Sequence, residues 1–182
     1  WGCREGSRIR LNFQVPSQYE DEELAFVSLM DSLYIPARPE GENYPDAVIN
    51  LIYGGLLSSL NAAGAQAKVY KRYLLKKIID RLSKDNSAKT LSIEYMPYIM
   101  NFLGIIYLSY AFDKSDGRDF KIVKSLFDTA IKHQDLITSP IHLGCIYNHL
   151  GQLYDCATRY MDKNPAAYFK GAIEYYRLAQ KY

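Results

Sequence analysis

Cysteine is scarce in this chain. Three residues in 182, scattered at Cys3, Cys145 and Cys156, do not make a disulfide framework, which favours a reducing compartment. Charge of one sign is equally scarce: 22 Lys and Arg against 20 Asp and Glu leave a formal +2, so the totals carry no nucleic-acid signature. The longest apolar run, residues 102–112, has 11 residues including Ser109. That is well short of the roughly 20 that span a bilayer, and it reads as a buried helix. Eleven Gly and seven Pro are too few for a collagen-like or linker sequence, and 48% hydrophobic residues are too many for a disordered tail. These exclusions leave one domain with a sizeable core. A start at Trp1 and an end inside a helical pattern at Tyr182 lead us to expect a piece of a longer protein. Gly2-Cys3 offers a second compartment, as the tail of a bacterial lipoprotein signal with Cys3 lipidated, although the apolar signal that should precede it is not in the chain.

The signatures of common chemistries are also missing. There is no Walker loop, no Gly-x-Gly-x-x-Gly and no Gly-x-Ser-x-Gly. Residues 113–119 have the look of a calcium loop, but Gly117 falls at the fifth position and Lys124 stands at the twelfth, so a turn is the better reading.

What is present is mostly helical. Residues 8–15 alternate, with Ile9, Leu11, Phe13 and Val15 on one face and Arg8, Arg10, Asn12 and Gln14 on the other. Period two means an extended arm, assigned to residues 1–19, lying against helices or pairing with another chain. Residues 20–34 open with four acids and continue at helical spacing. Pro36, Pro39, Gly41 and Pro45 mark a loop. Further helices are expected at about 46–61, 65–84, 97–112, 119–133, 139–161 and from Pro165 onward, with Ser139-Pro140 and Asn164-Pro165 as cap-plus-proline openings.

Self-comparison gives a repeat. Asn101, Leu103, Gly104 and Tyr107 recur as Asn148, Leu150, Gly151 and Tyr154 at an offset of 47 residues. Val123, Phe127 and Ala130 align with Ala172, Tyr176 and Ala179 at an offset of 49. A weaker copy centres on residues 53–57, paired with the helix holding Tyr70, Tyr73 and Leu74. Glycine on a first helix lets a second approach closely, and large aromatic rings fill the space around the crossing. One such hairpin cannot bury its apolar face alone, so neighbours stack.

Leu-Gly-x-x-Tyr followed by Ala-x-x-x-Phe/Tyr-x-x-Ala resembles the core pattern of the tetratricopeptide-repeat superfamily, and residues 172–179 are similar to its longer-loop Sel-type relatives. The period near 50 residues, the long gap from Tyr154 to Ala172 and the missing terminal Pro depart from that pattern. The expected fold is all-α: stacked antiparallel helical hairpins at about 46–84, 97–133 and 139–182 within a domain spanning 20–182, in a tetratricopeptide-like α-solenoid behind a short N-terminal arm. The resemblance implies a concave surface lined by first helices, where Asn101, Tyr107, Asn148 and Tyr154 recur. An Asn amide can clamp a peptide backbone through donor and acceptor, or can satisfy a buried group between hairpins.

Two other constellations invite chemistry. His142, Cys145 and His149 share a face of one helix, but the outer pair is about 10 Å apart along the axis, and no Cys-x-x-Cys completes a zinc set. The bland reading is a polar contact face. Lys68, Lys71, Arg72, Lys76, Lys77, Arg81 and Lys84 crowd another helix, where they do not form one stripe: Lys68, Lys71, Arg72 and Lys76 share a broad face, with Lys68, Lys71 and Arg72 the candidates for an anionic partner, while Lys77, Arg81 and Lys84 sit nearly opposite, the alternative being a solvated surface. The favoured expectation is a non-catalytic scaffold that binds a protein or peptide, with no cofactor. The alternatives are a nucleic-acid or anionic-partner adaptor through residues 68–84, and a metal-dependent helical protein using His142, Cys145 and His149.

Overall fold

Extended segments open the described structure because the first eleven residues can close a tight hairpin. The structure is a computed structural model and describes residues 2–6, 8–11, 33–36, 46–59, 65–84, 93–111, 117–160 and 164–182. Strand β1 (Gly2–Glu5) pairs antiparallel with β2 (Arg8–Leu11), with Glu5 opposite Arg8 and Gly2 opposite Leu11. Gly6, with φ of 63°, supplies the left-handed backbone that a two-residue hairpin connection demands. The Glu5 carboxylate accepts from Arg10 at 3.1 Å and lies 3.8 Å from Arg8, so the turn is also closed electrostatically.

The arm was expected to lie against helices or to pair with another chain; Ile9 and Leu11 do pack on the helical core, and the pairing is within this chain. Strand β3 (Leu33–Pro36) joins the other edge of β2, with Ile9 opposite Ile35 and Leu11 opposite Leu33. Leu33 and Tyr34 were expected to end a helix spanning 20–34. Two local causes favour the strand: Pro36 biases the residue before it toward extended backbone, and Ile35 is β-branched. Leu33, Tyr34 and Ile35 are all buried, so no period-two alternation marks the strand. The rest of that expected helix, residues 20–32, lies outside the described residues, as do Asn12 to Val15 of the expected arm.

From there the described chain is helical: α1 (Asp46–Ser59), α2 (Ala65–Lys84), α3 (Met96–Ala111), α4 (Gly117–Lys132), α5 (Pro140–Tyr160) and α6 (Pro165–Ala179), with short 3-10 turns at Ile93–Tyr95 and Gln134–Leu136. Asn164 caps α6 in the left-handed conformation, its side-chain oxygen accepting from the Ala167 N–H at 3.3 Å while Pro165 occupies the first turn. None of these helices is long and apolar enough to cross a membrane.

Neighbouring helices pack as α1 on α2, α3 on α4 and α5 on α6, with α4 also meeting α5 and both α1 and α2 meeting α3. Two cores result. The first joins the sheet, α1, α2 and one side of α3 through Leu33, Val48, Leu51, Leu75, Ile99, Phe102 and Ile106. The second joins the other side of α3, through Ile105 and Leu108, to Val123, Phe127, Ile146 and Leu150. Helix α3 is apolar nearly all round because it is buried on both sides.

The repeat has a physical counterpart. A Cβ on Gly104 would come within 2.7 Å of the Phe127 ring, and one on Gly151 within 2.6 Å of the Tyr176 ring. The aligned glycine of each first helix thus lies under the aligned aromatic of each second helix. The weaker copy does not share this contact. Gly54 abuts Ile106 of α3 rather than a residue of α2, and Tyr70 and Tyr73 of α2 face solvent.

Phe127 is fully buried and cannot swing aside. Alanine gains about 1 kcal/mol of helix propensity over glycine, but overpacking of this kind costs about 1–3 kcal/mol. Gly104→Ala is therefore expected to lower the thermal midpoint, by a net loss of up to about 2 kcal/mol, and Gly104→Ala with Phe127→Leu to recover part of it. A differential scanning calorimetry trace in which Gly104→Ala melts at or above the unsubstituted chain contradicts this packing.

Candidate functional site

The proposed metal ligands are the first to be separated. His142 and His149 both lie on α5, but they are turned to different neighbours. The His142 ring meets Tyr34 of β3 edge-on at 5.1 Å and Tyr98 of α3 at 5.4 Å, and those two tyrosines lie 4.8 Å apart. His149 stacks on Phe127 at 5.8 Å, and its Nδ1 is 3.0 Å from Asn101 Oδ1. With the amide oxygen accepting, the proton sits on Nδ1. Cys145 is half-buried between them. Among the described residues no group of three or more His, Cys, Asp or Glu is arranged to hold a metal ion.

The same bond decides the role of Asn101. At 2% exposure, bonded to a histidine that is itself 3% exposed, this amide joins α3 to α5 and is not presented to a partner. Its repeat equivalent Asn148 is half-buried. Tyr107 is half-buried and packs against both cores. Tyr154 belongs to a ring cluster with Phe120 at 5.3 Å, Tyr175 at 5.1 Å and Tyr168 at 6.1 Å, and a Cβ on Gly171 would come within 2.6 Å of it. Burial pushes the Tyr154 and Tyr176 hydroxyls up to about 12. Asn101, Tyr107 and Tyr154 therefore serve joints between helices.

The basic helix is also divided by its contacts. Lys71 donates from Nζ to the Ser58 carbonyl at 3.1 Å, bracing α2 against α1. The Arg72 guanidinium lies over the Tyr110 ring of α3 at 5.3 Å. Of the three bases expected to act together, Lys68 alone is exposed. Lys76, Lys77 and Arg81 are exposed as well, with Lys77 Nζ 4.5 Å above the Tyr73 ring.

A different feature of the first hairpin was missed by the sequence reading. Ile49, Tyr53 and Leu56 are exposed at 43%, 59% and 47%. At 100° per residue they fall within an arc of about 60° on the side of α1 opposite its buried residues Leu51 and Ser58. On α2, Tyr70 and Tyr73 are exposed at 63% and 52%, beside Val69. Both helices pack on α3 and on each other, so their outward sides form one surface. The other exposed large apolar side chains among the described residues are Ile93, Ile122 on α4, Ile141 on α5, Phe169 on α6 and Tyr182 at the end of the chain. Isolated exposed apolar residues are ordinary, whereas a row on two adjacent helices is not. The signal was available: apolar residues run round the whole circumference of α1, a pattern that belongs to a helix covered on more than one side.

Comparisons with family models, curated proteins and solved structures find no match to the chain.

Two outcomes follow for the interior. Asn101→Ala leaves a buried histidine without its amide, which costs about 1–3 kcal/mol; chemical denaturation is expected to show that loss. An unchanged denaturation midpoint contradicts the interior role. The buried Cys156 thiol, pushed up to about 12 by burial and by the Asp155 charge, is ionised to about one part in ten thousand at pH 8. Iodoacetamide is expected to label the half-exposed Cys3 and Cys145 in the native protein and Cys156 only after unfolding, as read by peptide mass spectrometry. Native labelling of Cys156 at the rate of the other two contradicts this.

Proposed function

We propose that this chain is a non-catalytic protein-interaction module, built of tetratricopeptide-like helical hairpins that stack on one another and hold a partner on the surface of the first hairpin. The observation that carries the reading is the outward row of Ile49, Tyr53 and Leu56 on α1 beside Tyr70 and Tyr73 on α2. Aromatic side chains with a polar tip tolerate water when a surface is free and give large contact area when it is covered. The recurrence of the glycine–aromatic contact in α3–α4 and α5–α6 supports the stacked-hairpin part of the reading. Nucleic-acid binding through Lys68, Lys71 and Arg72 is less well supported, because Lys71 and Arg72 reach inward to Ser58 and Tyr110.

The test is a paired substitution, Tyr53→Ser with Tyr73→Ser. Both rings are more than half exposed, so stability should change by no more than about 0.5 kcal/mol. Proteins recovered with the unsubstituted chain from its native cells and identified by mass spectrometry are expected to fall at least about tenfold in the variant, the loss of a central aromatic anchor. Recovery of the same set at the same level overturns the reading.

A further inference from the structure

The outward face of the first hairpin carries its charge unevenly, and that asymmetry says what would cover it. The Lys71–Ser58 bond fixes which side of α2 faces α1, and the Arg72–Tyr110 contact fixes which side faces α3. The Gly54–Ile106 contact does the same for α1. Projection of the remaining residues at 100° per residue then divides each outward face. The groove between α1 and α2 is bordered by Ile49, Ile52 and Leu56 on one side and by Tyr70, Leu74, Lys77 and Arg81 on the other. Asp46 and Asp80, the exposed acids of these two helices, fall on the flanks turned away from the groove.

The groove also has a direction. Lys71 lies level with Ser58, and α1 and α2 run antiparallel because only five residues separate them. Leu56 is therefore level with Tyr70 and Tyr73 at one end. Ile49 and Ile52 are level with Lys77 and Arg81 at the other. One end is apolar and aromatic, with Lys77 Nζ reaching back to 4.5 Å above the Tyr73 ring, and the other is apolar with the exposed Arg81. On its inner side the same helix pair holds a helix, α3, and ridge-into-groove packing offers a comparable seat on the outer side.

We propose that this outer groove is the docking site for an amphipathic helix of a partner protein, with apolar anchors toward Leu56 and Tyr70 and carboxylates toward Lys77 and Arg81. The inference rests on the proposed function and specifies its partner. Carboxylates at that end would bring charge-assisted hydrogen bonds to Lys77 and Arg81 as water leaves. A second copy of the chain is a poorer occupant. Its own groove offers no described carboxylate, so pairing groove to groove would cover the two cations without partners. The span from Tyr70 to Arg81 is about 16 Å at 1.5 Å per residue, which matches about three turns of helix.

The probe is a synthetic 16-residue helical peptide with Leu and Phe along one face and two Glu at one end of that face, together with the same peptide carrying Lys in place of Glu. Fluorescence anisotropy with the full 182-residue chain at physiological salt is expected to show binding of the Glu peptide and weaker binding of the Lys peptide. Lys77→Glu with Arg81→Glu is expected to weaken the Glu peptide at least about tenfold and to favour the Lys peptide, since tenfold is a modest effect for two buried charge pairs. Tyr70→Ser is expected to weaken both. Equal affinity for the two peptides, or no binding of either, overturns the inference. So does a concentration-dependent dimer in sedimentation that Leu56→Glu abolishes, which makes the occupant a second copy. Flotation with phosphatidylcholine–phosphatidylserine vesicles, or retention of a single-stranded oligonucleotide, overturns it if either is lost with Lys77→Glu and Arg81→Glu while the peptides do not bind. If Tyr53→Ser with Tyr73→Ser removes the native partner but the charge reversal changes nothing, the acidic helix falls and the interaction surface stands. If neither changes anything, both fall.

Discussion

A helix that is apolar on nearly every side must be surrounded, and the arrangement of this protein follows from surrounding α3. Its sequence, from Met96 to Ala111, has no Asp, Glu, Lys or Arg, and no single partner helix can cover it. One side is taken by α1, α2 and the sheet, the other by α4 and α5. The two cores are therefore mechanically one, because any shift of α3 disturbs both. The polar groups that α3 does carry are placed where a second element reaches them. Asn101 meets His149 of α5, and the Tyr98 hydroxyl takes the Thr138 N–H at 3.2 Å. These bonds cost little where both partners are present and a great deal where one is missing, so they fix the register of α3 against α5 more than they add to stability.

The glycines solve the next problem, which is distance. Long helices carrying Tyr and Phe on their inner faces would stand apart if every residue had a side chain. Gly104 and Gly151 remove one at the crossing, and Phe127 and Tyr176 occupy the space. Gly171 does the same from the second helix, beneath Tyr154. Ring packing then continues outward through Phe120, Tyr168 and Tyr175, joining α4 to α5 and α6. The large tyrosine content is mainly accounted for by this use: rings that pack between helices while their hydroxyls reach the rim.

Much of this was legible in the residues, for a physical reason. Helices were readable because period, caps and turn residues agree locally; α2 was expected at 65–84 and spans Ala65–Lys84, and Asn164-Pro165 opens α6 as a cap-plus-proline pair should. The glycine–aromatic contact was readable because both members recur at matched offsets. Strand β3 was not, since Leu33, Tyr34 and Ile35 are buried on both faces and alternate nothing. The pairing of β1 with β2 is set by Gly6 and by long-range register, which local pattern does not encode. The candidate site was legible only in part. Asn101 and Asn148 open the same Asn-x-Leu-Gly-x-x-Tyr pattern, yet one is sealed between helices and the other is half-buried, a difference in surroundings that the pattern does not carry. Lys71 and Arg72 look like free charge in a list of bases; contacts with Ser58 and the Tyr110 ring turn them inward. The row on α1 was overlooked because helix-period reasoning seeks one apolar face and does not ask why a helix has two.

That second face is the part of the molecule whose composition the internal packing does not explain. In α1, Leu51 and Val48 are buried in the core while Ile49, Tyr53 and Leu56 are exposed on the opposite side. With about half of each side chain still in water, the burial forgone is about half of the 1.5–3 kcal/mol that complete burial of a large apolar side chain is worth. On the function proposed above, an association recovers that cost. The bases at one end of the groove add a condition to it, because covering Lys77 and Arg81 with an uncharged surface would oppose the same apolar gain. The partner proposed above meets both conditions, because an amphipathic helix can combine an apolar face with carboxylates at one end.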